Sequence, residues 1–200
     1  MTLNQTAKIL LPIVLFCTAA NASSLFNFDG DAIGTSTTFT DSVNGVLATF
    51  SSSADPGGFV VYQSMFETLT GNVLGDPGPA GQDNLTLNVN FSQNLSAITL
   101  DFATADFITP SPFTLTAFEN STLVGSATLS GQFLPGFTFP EGEIAFEGGR
   151  FNQLVLSTTA TDFAVDNINV ISTPEPGTLC MLGSALLLLG AVRRRKTSRE

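Results

Sequence analysis

The stretch NLTLNVNF, residues 84–91, carries the pattern that decides the fold. Its apolar side chains fall at every second position, and asparagine and threonine fill the positions between them. Successive side chains of a strand point to opposite faces of a sheet, so this alternation predicts a strand with one buried face. The same alternation recurs in AITLDFAT (97–104), PFTLTAF (112–118), FNQLVLS (151–157) and DFAVDNINV (162–170).

Ten to twelve short strands of this kind predict an all-β fold. Glycine, proline and asparagine interrupt the chain at short intervals, and residues 23–172 show no convincing 3.6-residue apolar period. Short strands with regular turn signals are typical of sandwiches and barrels. We therefore predict a jelly-roll-like β-sandwich domain at residues 23–172, with most phenylalanines filling the space between its sheets.

The start of the chain has the order of an export signal. Lys8 precedes an apolar run over residues 9–16, and the small-residue pattern Ala20-Asn21-Ala22 follows. This order of charge, apolar run and small residues is the one that a signal peptidase accepts. We predict a signal peptide at residues 1–22, cleaved after Ala22.

The end of the chain carries a short apolar segment with a basic cluster behind it. Residues 178–192 would extend about 22 Å as a helix, which is short of the ~30 Å hydrocarbon core of a membrane. The cluster at residues 193–196 follows at once. Since basic residues stay on the cytoplasmic side, the body of the protein is expected on the outer side.

Pro174-Glu175-Pro176, the short apolar helix and the arginines Arg193, Arg194 and Arg195 resemble the PEP-CTERM sorting signal. The resemblance covers residues 173–196, and the body is more loosely similar to exported β-sandwich proteins with this tail. It implies that an exosortase, a membrane-embedded protease, cuts near Pro-Glu-Pro after signal peptidase has acted at the other end. Residues 173–200 would then form a transient inner-membrane segment, and the body would reach the cell envelope or the outside. A permanent single-span transmembrane helix is the alternative.

The composition of the body excludes most enzyme mechanisms. Residues 23–173 contain fifteen acidic residues and one basic residue, Arg150, and no histidine, lysine or cysteine. A Ser-His-Asp triad, a cysteine nucleophile and an ordinary zinc site are therefore absent. Such an acidic surface repels phosphate backbones, so no nucleic-acid partner is expected. A pair of carboxylates is the remaining catalytic route, and we assign no catalytic residue.

Oxygen ligands suited to calcium occur near both ends of the predicted domain. Asp29 and Asp31 flank a glycine in FNFDGDAIG (26–34), and Asp166 precedes Asn167 in the last predicted strand. The apolar alternation slips by one residue at Asp166-Asn167, which predicts a β-bulge that re-aims this polar pair. First and last strands of sandwiches often adjoin, so Asp29 or Asp31 would meet Asp166 and hold a structural Ca²⁺. Solvated acids at strand ends are the alternative.

Three functions are compatible with these features. The preferred one is an exported, non-catalytic structural or adhesive protein of the envelope or extracellular matrix, associated with exopolysaccharide or biofilm. A calcium-dependent carbohydrate-binding module is the alternative, although the body lacks tryptophan and has one tyrosine, Tyr62, for stacking on sugar rings. A glycoside hydrolase with two catalytic carboxylates is the second alternative.

Overall fold

Strands form nearly all of the regular structure. The computed structural model describes residues 22–53, 57–76 and 85–173, and within these ranges it contains no α-helix. A 3-10 turn at Phe28–Gly30 is the one helical element there. The strands are β1 (Ser23–Phe26), β2 (Phe39–Val43), β3 (Val46–Ser52), β4 (Val60–Gln63), β5 (Asn72–Gly75), β6 (Leu87–Thr104), β7 (Pro112–Glu119), β8 (Thr122–Ser130), β9 (Gln132–Phe133), β10 (Pro140–Thr158) and β11 (Phe163–Ser172). The predicted all-β sandwich is confirmed.

The strands pack as two layers that share two long strands. The first layer consists of β2, β3, residues 87–91 of β6, residues 153–158 of β10, β7 and β8. The second layer consists of β4, β5, β11, β1, β9 and the remaining halves of β6 and β10. Strands that switch layers through register shifts are a common way to close the corner of a sandwich. Hydrogen bonding therefore connects all eleven strands.

The long strands correct one detail of the sequence analysis. The stretches at 84–91 and 97–104 are predicted as separate short strands, but residues 87–104 form the single strand β6. No glycine or proline stands between them, so the backbone stays extended through Ser92–Ser96 and only shifts register near Leu95. β10 is also one long strand, and its register against β6 shifts on both sides of Phe151; Gly148 and Gly149, which have positive φ, lie within the first of these shifts.

Phenylalanine side chains from the two layers meet in the core. Phe102 of β6 stacks on Phe113 of β7 with ring centroids 4.4 Å apart, and Phe26 of β1 meets Phe50 of β3 edge to face. The pairs join opposite layers, as the prediction requires. The buried phenylalanines are Phe26, Phe28, Phe50, Phe59, Phe91, Phe102, Phe113, Phe151 and Phe163.

Several predicted features lie outside the described residues. These are most of the signal peptide with Ala20, the apolar helix, and the sorting residues Pro174, Glu175, Pro176, Arg193, Arg194 and Arg195. Ala22, the last residue of the predicted signal peptide, lies directly before β1. Where the structure describes the chain, it has no helix of sufficient length and apolarity to cross a membrane. The predicted domain boundaries stay predictions.

Candidate functional site

The last strand changes neighbours at the polar pair singled out in the sequence. On one side of β11, Val165 pairs with Leu74 of β5, and the next partner on that side is Phe26 of β1, opposite Ile168. Asp166 and Asn167 lie in the gap between these two partners. The β1–β11 pairing confirms the prediction that the first and last strands adjoin.

The predicted β-bulge is confirmed at this gap. Asp166 is opposite Asp101 of β6, but the next pair joins Asn169 to Thr99, so β11 contains one extra residue there. Asn167 has a φ of 49°, which is the left-handed conformation that asparagine tolerates better than most residues. Its Nδ2 donates a hydrogen bond of 2.9 Å to Oδ2 of Asp101. We call Asp29, Asp101, Asp166 and Asn167 the Asp166 junction.

The carboxylate of Asp166 is buried without a hydrogen-bond partner. Its residue is 1% exposed, and neither Oδ1 nor Oδ2 makes a hydrogen bond of normal geometry within the described residues. Burial raises the pKa of this carboxyl to about 6, and the negative charges of Asp29 and Asp101 act in the same direction. Backbone amides of Asn167 and Thr70 lower the pKa in part but do not complete hydrogen bonds. A buried carboxylate without hydrogen bonds is stable only if a cation pairs with it or if it binds a proton.

Asp29 is held at the junction by the loop before β5. Its Oδ1 accepts a hydrogen bond of 2.8 Å from the backbone amide of Asn72. Gly71 has a φ of +75°, and a side chain there would collide with the Asp29 carboxylate. Glycine at position 71 therefore permits the close approach that places Asp29 near Asp166.

The remaining predicted ligand, Asp31, interacts with Asp41 and Asn72. The pKa of Asp31 is raised by burial and by Asp41 of β2, and its backbone carbonyl accepts a hydrogen bond from Nδ2 of Asn72. Within the described residues, no three acidic, histidine or cysteine side chains are grouped closely enough to hold a metal by themselves. A calcium ion at the junction would thus need amide, backbone carbonyl or water oxygens as well.

A second candidate site is a cavity of about 270 Å³ at one end of the sandwich. Aromatic and thioether side chains of Tyr62, Met65, Phe66 and Phe139 line it, together with the small side chains Ala103 and Ala164 of the second layer and the carboxylates of Asp76 and Asp162. We call this cavity the aromatic pocket. Apolar walls with a few polar groups are the usual composition of a small-molecule site.

Two negative charges act on the tyrosine of the aromatic pocket. Burial raises the pKa of Tyr62 to about 12, with further contributions from Asp76 and Asp162. The phenol therefore keeps its proton at physiological pH and can donate a hydrogen bond. The local potential at the pocket is negative.

Exposed aromatic side chains extend the pocket outward. Phe139 contacts Phe66 and Phe107, with ring centroids 5.7 Å and 5.5 Å away. Phe107 is 70% exposed, and its neighbour Ile108 is 90% exposed. Asp106 positions their loop, because its carboxylate accepts hydrogen bonds from the hydroxyl of Thr104 and from the amide and hydroxyl of Ser111. Apolar side chains so strongly exposed together point to a contact surface.

A buried glutamate fixes the loop that forms one wall of the aromatic pocket. Glu141 is 3% exposed, and its carboxylate accepts hydrogen bonds from the amides of Glu67 and Thr68 and from the Thr68 hydroxyl, at 2.7–2.9 Å. Met65 and Phe66 belong to this loop, so their placement depends on Glu141. Hydrogen bonds to a charged group are about twice as strong as neutral ones.

Replacing Glu141 with glutamine should loosen this loop. We expect the free energy of unfolding to fall by about 1–3 kcal/mol, because one of the three bonds loses its acceptor and the others lose the charge. Amide hydrogen exchange should accelerate at Glu67 and Thr68. Glu143→Gln is the matched control, since Glu143 is an exposed carboxylate two residues along the same strand. Equal exchange rates in the two variants would contradict the assigned role.

The aromatic pocket was not predictable from the sequence. Its walls come from four loops that are far apart in the chain, represented by Phe66, Ala105, Phe139 and Asp162. None of these loops carries a periodic pattern that marks a ligand site. The nearest signals are the four large apolar residues in FIT and FTF, residues 107–109 and 137–139, which belong to no alternating strand.

The tail of the chain matches a known family model. The PEP-CTERM protein-sorting motif matches residues 172–196, which confirms the predicted sorting signal. The chain is thus an exported protein with a C-terminal segment that anchors it in the membrane before processing. No curated protein matches the chain.

Several solved structures are similar in fold to the body. The K2 cleaved adhesin domain of Lys-gingipain shares 13% identity and a TM-score of 0.49, over 74% of this chain and 99% of the adhesin. A family 35 carbohydrate-binding module from Clostridium thermocellum shares 14% identity and a TM-score of 0.38, over 76% and 99% of the two chains. The module CBM32-3 from a Clostridium perfringens glycoside hydrolase shares 9% identity and a TM-score of 0.36, over 50% and 75%.

Proposed function

We propose that this protein is a non-catalytic component of the cell envelope or extracellular matrix that holds exopolysaccharide through its aromatic pocket. Exosortase would remove the tail after export, leaving the β-sandwich as the working part. The main support for the proposal is the pocket itself, in which carboxylates lie beside the aromatic rings of Tyr62, Phe66 and Phe139. The sorting motif places this pocket on an exported protein.

The pocket chemistry suits a sugar ring. The C–H faces of a pyranose pack on aromatic side chains, and its hydroxyl groups donate hydrogen bonds to carboxylates such as Asp76 and Asp162. Tyr62, which keeps its proton, donates in return. A volume of about 270 Å³ lies just below the ~300–1,000 Å³ that ligand pockets usually occupy. We therefore expect one sugar unit inside the pocket, with the rest of the polysaccharide chain over Phe107.

Retention on polysaccharide tests the proposed function. The exported protein, purified from its host, should be retained on the host's own exopolysaccharide, and Phe139→Ala should reduce retention about tenfold or more, because stacking on one aromatic ring contributes ~1.5 kcal/mol. Phe133→Ala is the matched control, since Phe133 is exposed but lies outside the pocket lining. No retention of the unchanged protein on any glycan would contradict the proposal. Release of reducing sugar from the polysaccharide would contradict the proposal that the protein is non-catalytic.

A structural calcium ion at the Asp166 junction is a second proposal, and the unpartnered carboxylate of Asp166 supports it. Asp166 and Oδ2 of Asp29 would supply carboxylate oxygens, since Oδ1 of Asp29 already accepts the Asn72 amide. Asn167 would supply Oδ1, because its Nδ2 is turned to Asp101. When bound, the ion would neutralise the buried charge and tie the turn after β1 to β11.

A further inference from the structure

The aromatic pocket lies in a strongly negative part of a strongly negative body. Asp76 and Asp162 both act on Tyr62 inside it, and burial keeps their field from being fully screened. The one basic residue of the body, Arg150, is absent from the pocket lining and lies in an exposed segment of β10. A ligand that carries carboxylate or sulfate groups would be repelled from this site.

The walls of the pocket add an attraction for positive charge. The faces of Tyr62, Phe66 and Phe139 carry negative quadrupole potential, which attracts an ammonium group placed above the ring. Carboxylates beside aromatic faces therefore favour a ligand that combines an ammonium group with an apolar face. A sugar ring with a free amino group has both features within one unit.

We propose that the aromatic pocket selects saccharides with free, non-acetylated amino groups. The ammonium group lies beside Asp76 and Asp162, and the sugar ring packs against Phe139. This inference rests on the proposed function, since it names the class of polysaccharide that the pocket binds. The pocket would bind polysaccharides with free amino groups in preference to neutral and acidic polysaccharides.

Two oligosaccharides with one backbone test this selectivity. A β-1,4-linked glucosamine hexamer carries an ammonium group on each ring at mildly acidic pH, whereas its fully N-acetylated counterpart carries a neutral acetamide at the same position. Calorimetric titration of the exported protein at mildly acidic pH should give at least tenfold tighter binding of the glucosamine hexamer. The difference should shrink as salt is added, because added ions screen the attraction.

Variants assign the selectivity to the pocket. Asp162→Asn should weaken binding of the glucosamine hexamer about tenfold more than it weakens binding of the N-acetylated hexamer, whereas Phe139→Ala should weaken binding of both to a similar extent. Asp76→Asn serves as the second variant if Asp162→Asn lowers the melting temperature. If the asparagine variant loses affinity for both hexamers to the same extent, the assignment of the selectivity to this pocket is overturned.

The outcomes distinguish this inference from the proposed function. Equal binding of the two hexamers overturns the selectivity and leaves the proposed function standing. Binding of neither hexamer, together with no retention on the host polysaccharide, overturns both. A short oligolysine peptide that binds as tightly as the glucosamine hexamer would overturn the choice of a saccharide, because the site would then recognise cations in general.

Discussion

Replacing Phe102 with alanine should lower the free energy of unfolding by about 3–5 kcal/mol. Phe102 is fully buried in β6 and stacks on Phe113 of β7 at 4.4 Å, so it joins the two layers of the sandwich. Its removal loses both the burial of an aromatic ring and the contacts that line the resulting cavity. Urea denaturation followed by circular dichroism measures the change.

Phe107→Ala is the matched control for this prediction. The same atoms are removed, but Phe107 is 70% exposed, so we expect a change within about 0.5 kcal/mol. Phe107→Ala should instead weaken polysaccharide retention, because Phe107 lies against Phe139 at the mouth of the aromatic pocket. Similar losses of stability in the two variants would show that the layers do not meet at Phe102.

Calcium should stabilise the unchanged protein and should have little effect on Asp166→Asn. A cation at the Asp166 junction neutralises a buried carboxylate in the folded state only, and a ligand at a hundred times its Kd adds about 2.7 kcal/mol. Thermal unfolding in calcium and in EDTA measures this difference. An unchanged melting temperature of the natural sequence in EDTA would contradict the calcium proposal.

Without calcium, Asp166 should give the protein an unusual pH dependence. The pKa of its carboxyl is raised from 3.8 to about 6, so between these values the folded state binds a proton that the unfolded state has lost. The contribution of this carboxyl to the free energy of unfolding is therefore complete below about pH 4 and is lost as the pH rises through 6. The loss approaches about 3 kcal/mol, since one pKa unit corresponds to ~1.4 kcal/mol.

Asp166→Asn should remove this pH dependence and, in EDTA at neutral pH, should be more stable than the natural sequence. The amide is similar in size to the carboxylate and carries no charge to bury. Glu147→Gln provides the control, because it removes one exposed carboxylate from β10. If the pH slope persists in Asp166→Asn, another group is responsible for it.

The fold could be predicted from the sequence because a strand with one solvent-exposed and one buried face alternates polar and apolar residues with a period of two. The bulge at Asp166 was predictable for the same reason, since an extra residue shifts the alternation. The continuity of β6 was not, because a change of layer inside a strand needs no glycine or proline. Alternation reports which face a side chain takes but not where the strand bends.

The sites were predictable only in part. The neighbourhood of Asp29 and Asp166 follows from the pairing of β1 with β11, which is common in sandwiches. The electrostatic interaction of Asp31 with Asp41 depends on the loop after β1, whose conformation has no sequence signature. The aromatic pocket depends on loops from four parts of the chain, and only the folded structure brings Phe66 and Phe139 together.

The intact mass of the mature protein, taken from the envelope or medium of its host, tests most directly that the β-sandwich works outside the cell without its two end segments. We predict a species that begins at Ser23 and ends near Pro174–Pro176, without the basic cluster at residues 193–196. A species that begins at Ser23 and still ends at Glu200 would contradict removal of the tail and would indicate a permanent anchor.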